Sequence, residues 1–167
     1  MLPSRPSGLG RVTIRARPDV DPERIYLVGH STGGTHVLNA AVAGAPVRAA
    51  FSLGGRADLV EVALDGGYGN EPFSLSDTAL SAMRSPNRWG GSLAVPTYYF
   101  EGEYEYYIDA VSMAYYAPMM EAHLVPDADH FSYLGAVKAN ITEQILADKG
   151  TSPSFEFSER MLYQITH

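Results

Sequence analysis

The sequence predicts an α/β protein built on a parallel sheet flanked by helices, and three observations carry that expectation. Residues 21–55 read as a strand, a tight glycine-bracketed turn, a helix and a second strand, the order of a parallel crossover unit. Two further short apolar runs, 96–100 and 122–125, are separated by a segment of helical period. A pattern with Val137, Ile141, Ile145 and Leu146 on one face then closes the alternation. Strands alternating with helices of this length are the signature of a parallel sheet covered on both faces.

Taken in order, residues 1–18 are rich in Pro, Gly, Ser and Arg and are expected to be loosely ordered. Arg11 to Ala16 alternates, which suits one short strand, and a helix end remains the other reading. Asp21-Pro22-Glu23-Arg24 punctuates the start of the Ile25–Val28 strand, whose unbroken apolar run fits a buried parallel strand. Val37, Leu38, Ala41 and Val42 place a helix over 36–42, stopped by Gly44 and Pro46. Ala49–Leu53 is the next strand. The pattern weakens over 56–92, where Leu59, Val60, Val62, Ala63 and Leu64 suggest a short helix and Gly66-Gly67 and Gly90-Gly91 bracket polar loop material. Strand 96–100 leads to a helix over 108–117 ended by Pro118, strand 122–125, a loop to His130, the helix over 136–147, and a short terminal helix over 158–165.

The chemistry concentrates at Gly29-His30-Ser31-Thr32-Gly33, a G-x-S-x-G pattern at the junction of strand and helix. Small residues on either side let a strained turn lift a serine oxygen above the sheet. The pattern alone is weak and its setting strengthens it, because reactive groups in such sheets gather at the carboxyl ends of the strands. A serine hydroxyl becomes a useful nucleophile when an imidazole takes its proton and a carboxylate orients that imidazole. His130 follows a strand end and is the favoured base, whereas His123 falls within a strand and His36 on a helix, where structural roles are expected.

The segment Val20 to Gly34 resembles the α/β-hydrolase superfamily, in particular its prolyl-oligopeptidase-like and dienelactone-hydrolase-like branches. Pro96 to Glu105 resembles the penultimate strand and acid loop, and Asp127-Ala128-Asp129-His130-Phe131 the histidine loop, in the order serine, acid, histidine. The likeness covers about residues 19–167. It implies a truncated sheet of about four to five strands, corresponding to the C-terminal half of the family, with a cap-like insertion over 56–92 after an N-terminal segment of residues 1–18. It further implies a catalytic set of Ser31, His130 and Glu105, the last where the family has an aspartate, with Glu103 and Asp109 as alternative acids. His30 would help to shape the elbow. The backbone amide of Thr32, at a helix N-terminus, would be one oxyanion donor, the second belonging to an upstream loop. The resemblance implies a serine hydrolase that cleaves carboxylic esters through an acyl-enzyme without cofactor. A prolyl-oligopeptidase-type peptidase and a non-catalytic remnant serving as an interaction module are the other readings.

Composition sets the remaining bounds. A chain of 167 residues, 46% of them hydrophobic, suits a single core. A formal charge of −7 without a basic cluster disfavours nucleic acid or an anionic membrane as partner. The absence of cysteine excludes disulfides and thiolate-held metals. No phosphate-binding glycine loop, dinucleotide fingerprint or zinc-type histidine spacing occurs. Without an apolar leader or membrane span, the expectation is a soluble cytoplasmic protein acting on a small-molecule ester. In the family the Ile25–Val28 strand is paired on both sides. An apolar edge is therefore expected here, and with it a homodimer.

Overall fold

The computed structural model describes residues 14–64, 77–103 and 107–167. Four strands, β1 (Tyr26–His30), β2 (Ala49–Leu53), β3 (Thr97–Gly102) and β4 (Met120–Val125), form one parallel sheet in the order β1-β2-β3-β4. Six α-helices accompany them among the described residues: α1 (Thr32–Val42), α2 (Leu59–Leu64), α3 (Thr78–Arg84), α4 (Tyr107–Tyr116), α5 (Leu134–Ala147) and α6 (Glu159–Thr166). Among these, no helix is long and apolar enough to cross a membrane.

Strand alternation divides the core into two layers. Phe51, Leu53, Tyr98 and Phe100 point to one face, where they pack with Tyr133, Val137 and Ile141 of the α5 region and with Phe155, Phe157 and Leu162. Ala50 and Tyr99 point to the other, against Val37, Leu38 and Ala41 of α1 and Ala110 and Met113 of α4. Every residue of β2 and β3 is buried, as two-faced cover of inner parallel strands requires. Within the first layer His123 stacks 5.2 Å from Phe100. Burial there pushes its pKa down to about 4, so it is a neutral core aromatic at neutral pH.

The register aligns the strand ends. His30 pairs with Leu53, Leu53 with Phe100 and Gly102 with Val125, so the loops that follow all four strands open on the same edge. β1 pairs only with β2 among the described residues, and Val28 is 47% exposed.

The weak pattern over 56–92 contains more order than a polar loop. Asp58 accepts the amides of Val60 and Glu61 at 2.9 and 3.1 Å to start α2, and Asp77 accepts that of Leu80 at 2.9 Å to start α3. A 3₁₀ segment, Pro86–Ser92, follows, tied back by Trp89 Nε1 donating to Ala82 O at 2.8 Å. The Tyr116 hydroxyl of α4 donates to Asn87 O at 2.5 Å and Asn39 of α1 to Arg84 O at 3.4 Å, so residues 77–92 lie on α1 and α4. The Gly66-Gly67 part of the expected cap lies outside the described residues, as do residues 1–13; Ile14–Ala16 is a 3₁₀ turn.

At the amino edge of the sheet an ion cluster fastens α5. Asp148, just past α5, takes a two-pronged contact from Arg48, Nε to Oδ2 at 2.6 Å and Nη2 to Oδ1 at 2.8 Å, and accepts the Tyr26 hydroxyl at 2.7 Å. Arg24 donates to the carbonyls of Ile145, at 2.7 Å, and Asp148, placing a cation on the helix C-terminus. The Arg48 guanidinium lowers the Asp148 pKa to about 2. A carboxylate depressed in the folded state contributes stability above its unfolded value of about 3.9 that is lost as pH falls from there through about 2. Arg48→Ala should therefore cost about 3–5 kcal/mol in urea unfolding at pH 7 and flatten the fall in stability between pH 4 and pH 2. An unchanged slope in that window would show that the Arg48 contact does not set it.

Candidate functional site

The elbow forms as its sequence requires. Ser31 sits at φ 55°, ψ −122°, a conformation costly for a residue with a side chain, of order 1–3 kcal/mol. Two backbone bonds hold it there: Ser31 N donates to Leu53 O at 2.8 Å, and Ser31 O accepts Thr35 N at 3.1 Å as the first turn of α1. Its hydroxyl makes no capping bond to the helix. Thr32 opens α1, so its amide is among the first-turn groups without an intrahelical acceptor. Of the two motif glycines, only Gly29 is demanded by space. A Cβ there would lie 2.3 Å from Gly33 O, whereas Gly33 has nothing within 4 Å.

Opposite the elbow, His130 is anchored through its ring. Its Nδ1 donates to Glu101 Oε2 at 2.9 Å, and Gly102 N donates to Glu101 Oε1 at 2.8 Å. Glu101 has no solvent exposure. Tyr133 lies beside it: burial and then the Glu101 carboxylate drive that phenol's pKa upward, and its hydroxyl donates to Phe100 O at 3.1 Å. The histidine loop is braced from below, with Asp129 accepting the amides of Phe131 and Ser132, both at 2.8 Å. Those two bonds hold the Asp129 carboxyl below its usual pKa. Gly54, at φ 65°, supports the pair from the β2 side. A Cβ there would sit 2.5 Å from His130 Cε1 and 2.8 Å from Glu101 Oε2.

His30 closes the arrangement. Its Nε2 lies 3.1 Å from the His130 backbone oxygen, its ring centroid 4.6 Å from that of His130 and 5.5 Å from that of Phe131. Ser31, His30, Gly54, Glu101 and His130 thus occupy the carboxyl edge of the sheet.

The carboxyl group on His130 is one that sequence reading passed over. Glu105 lies outside the described residues. Asp109, on α4, is held by Arg56 Nε at 2.8 Å with both side chains largely buried. Glu103 accepts the amide of Asp127 at 3.2 Å at the surface. Among the described residues no group of three or more His, Asp or Glu is placed to hold a metal ion.

Neither protein-family models nor curated proteins match the sequence. Solved structures do. Acylaminoacyl peptidase of Pyrococcus horikoshii superposes with a TM-score of 0.66 at 14% identity, covering 89% of this chain and 28% of that one. A puromycin-hydrolyzing peptidase of Mycobacterium tuberculosis gives 0.60 at 24% identity, covering 81% and 23%. The chain has the α/β-hydrolase fold. Acetyl xylan esterase 1 from Thermoanaerobacterium sp. gives 0.59 at 14% identity, covering 82% and 49%. The chain therefore spans less than half the length of these α/β-hydrolase-fold structures.

The two glycines should respond in opposite ways. Gly54→Ala meets both positive φ and the imidazole, and should lower the thermal midpoint by several degrees, on the scale of 2–4 °C per kcal/mol for a chain of this size. Gly33→Ala, in open space at the start of a helix, should leave it level or raise it. Equal melting of the two variants would mean that the His130 ring does not rest on Gly54.

Proposed function

We propose that this chain carries the catalytic groups of a serine hydrolase that cleaves carboxylic esters. The observation that carries the reading is the pairing, on one sheet edge, of a strained serine turn at Ser31 with a histidine whose Nδ1 is held by a buried glutamate. Similarity of fold to peptidases and esterases agrees with it.

In this reading Glu101 fixes the His130 tautomer, with the proton on Nδ1 and Nε2 as base. Nε2 takes the proton of Ser31 Oγ as that oxygen attacks the ester carbonyl. The resulting oxyanion is met by the Thr32 amide, where the N-terminal dipole of α1 favours negative charge. Collapse of the tetrahedral adduct expels the alcohol, which leaves with the proton from His130. Water, deprotonated by the same nitrogen, then frees the acid from Ser31. Glu101 takes the role that sequence reading gave to Glu105.

The test uses a short p-nitrophenyl ester and a fluorophosphonate probe. Ser31→Ala should abolish hydrolysis and labelling with little change in stability. Glu101→Gln should cut kcat/KM by roughly 10³- to 10⁴-fold, while Asp109→Asn retains most activity provided it folds. Turnover that survives Ser31→Ala would remove the reading. Labelling without ester turnover, but with cleavage of a short acyl-peptide, would favour the peptidase alternative. A well-folded chain inert to both would favour the interaction module.

We also propose a homodimer in which a second copy covers the β1 edge, whose strand has one partner among the described residues and leaves Val28 exposed. Light scattering at micromolar concentration should return twice the 18.1 kDa chain mass, with Val28→Lys shifting it toward one; a clean monomer sinks the proposal.

A further inference from the structure

We infer that His30 is a positioning residue that fixes the His130 loop by donating a hydrogen bond to it, an inference that rests on the hydrolase reading above. A backbone carbonyl has no proton to give. The 3.1 Å contact between His30 Nε2 and His130 O therefore requires His30 to carry its proton on Nε2. The bond joins the residue immediately before Ser31 to the main chain of the base, tying together the two segments that carry nucleophile and base.

Three other described restraints act on His130 and its loop along different directions. Glu101 holds the ring at Nδ1, and Gly54 borders its Cε1 and Nδ1 edge. Asp129 fastens the backbone amides of the two residues that follow. Each of these binds the loop to β2, to β3 or to itself. The His30 bond runs from the loop to β1, whose end turns directly into the elbow. Tilted ring contact with His130, at 4.6 Å and 41°, and edge contact with Phe131, at 5.5 Å, add packing along the same line. Misplacement of a base by about 1 Å costs on the order of 100-fold, so a restraint of this kind acts on kcat without touching substrate.

His30→Phe keeps a ring and deletes the donor, and His30→Gln restores a donor of similar reach. His30→Phe should lower kcat on the p-nitrophenyl ester, and the rate of fluorophosphonate labelling at Ser31, by roughly 10- to 100-fold with KM within about twofold. His30→Gln should recover much of that loss. His36→Gln, exposed on α1, serves as the unaffected control. Proton NMR of the His130 Nδ1–H signal should move in His30→Phe and return toward its original place in His30→Gln. Thermal unfolding of each variant checks that it folds. Wild-type and His30→Phe protein labelling at one rate would overturn this inference and leave the hydrolase reading standing. Wild-type protein that does not label at all overturns that reading and this inference together. A fall confined to KM would make His30 a substrate contact instead.

Discussion

A carboxyl group sealed from water has to find donors for both of its oxygens within the protein, because each unmet bond costs about 1–3 kcal/mol. Glu101 meets that demand with the amide of Gly102 on one oxygen and the imidazole of His130 on the other. Much of the carboxyl edge of the sheet follows from this. Residues 126–130 must return over the end of β3 to deliver the imidazole, β2 must be followed by a residue small enough for the ring to rest on, and Gly54 is that residue. Tyr133, in the first turn after the loop, then fills the wall behind Glu101 and extends the core to the site.

The elbow and the histidine loop are linked through β2 as much as through side chains. The strained backbone of Ser31 hangs from Leu53 O, and the next residue, Gly54, borders the imidazole. Strain at one point is borne by a hydrogen bond to a strand whose neighbours on both sides are fixed in register. An elbow on a less constrained strand would relax toward ordinary backbone angles.

How much of this was legible in the sequence depends on whether local pattern or tertiary contact decides a residue's state. β2 appears where its apolar run places it, since a short run between turn signals has few other homes. β1 continues past Val28 to His30 because Gly29 and His30 still pair with Ser52 and Leu53, a long-range fact without local trace. Helix α1 begins at Thr32, earlier than its apolar residues suggest, because Gly34 lies directly against Gly55 and the weak helix formers Thr32 to Gly34 gain their order from that contact. Residues 78–92 read as loop on their Ser, Asn, Pro and Gly content, and are ordered by the Asp77 cap and the Trp89 tie together with the long-range bonds from Tyr116 and Asn39. Ser31 and His130 were legible as candidates. Glu101 was missed because an acid was sought in the loop after Gly102. The available signal was a lone carboxylate closing the run Tyr98-Tyr99-Phe100, a place where an acidic side chain survives only with a specific companion.

Helix α5 starts four residues after His130 and ends at Ala147, just before Asp148, spanning about 21 Å from the histidine loop to the Arg24, Arg48 and Tyr26 cluster. It behaves as a strut pinned at both ends. Between those ends Val137 and Ile141 seat the helix in the core, so the same element that carries the Asp148 cluster at its carboxyl end backs the histidine loop at its amino end. A largely buried ion pair on one side of the sheet and the imidazole on the other are thus seated against the two ends of one element, 14 residues long.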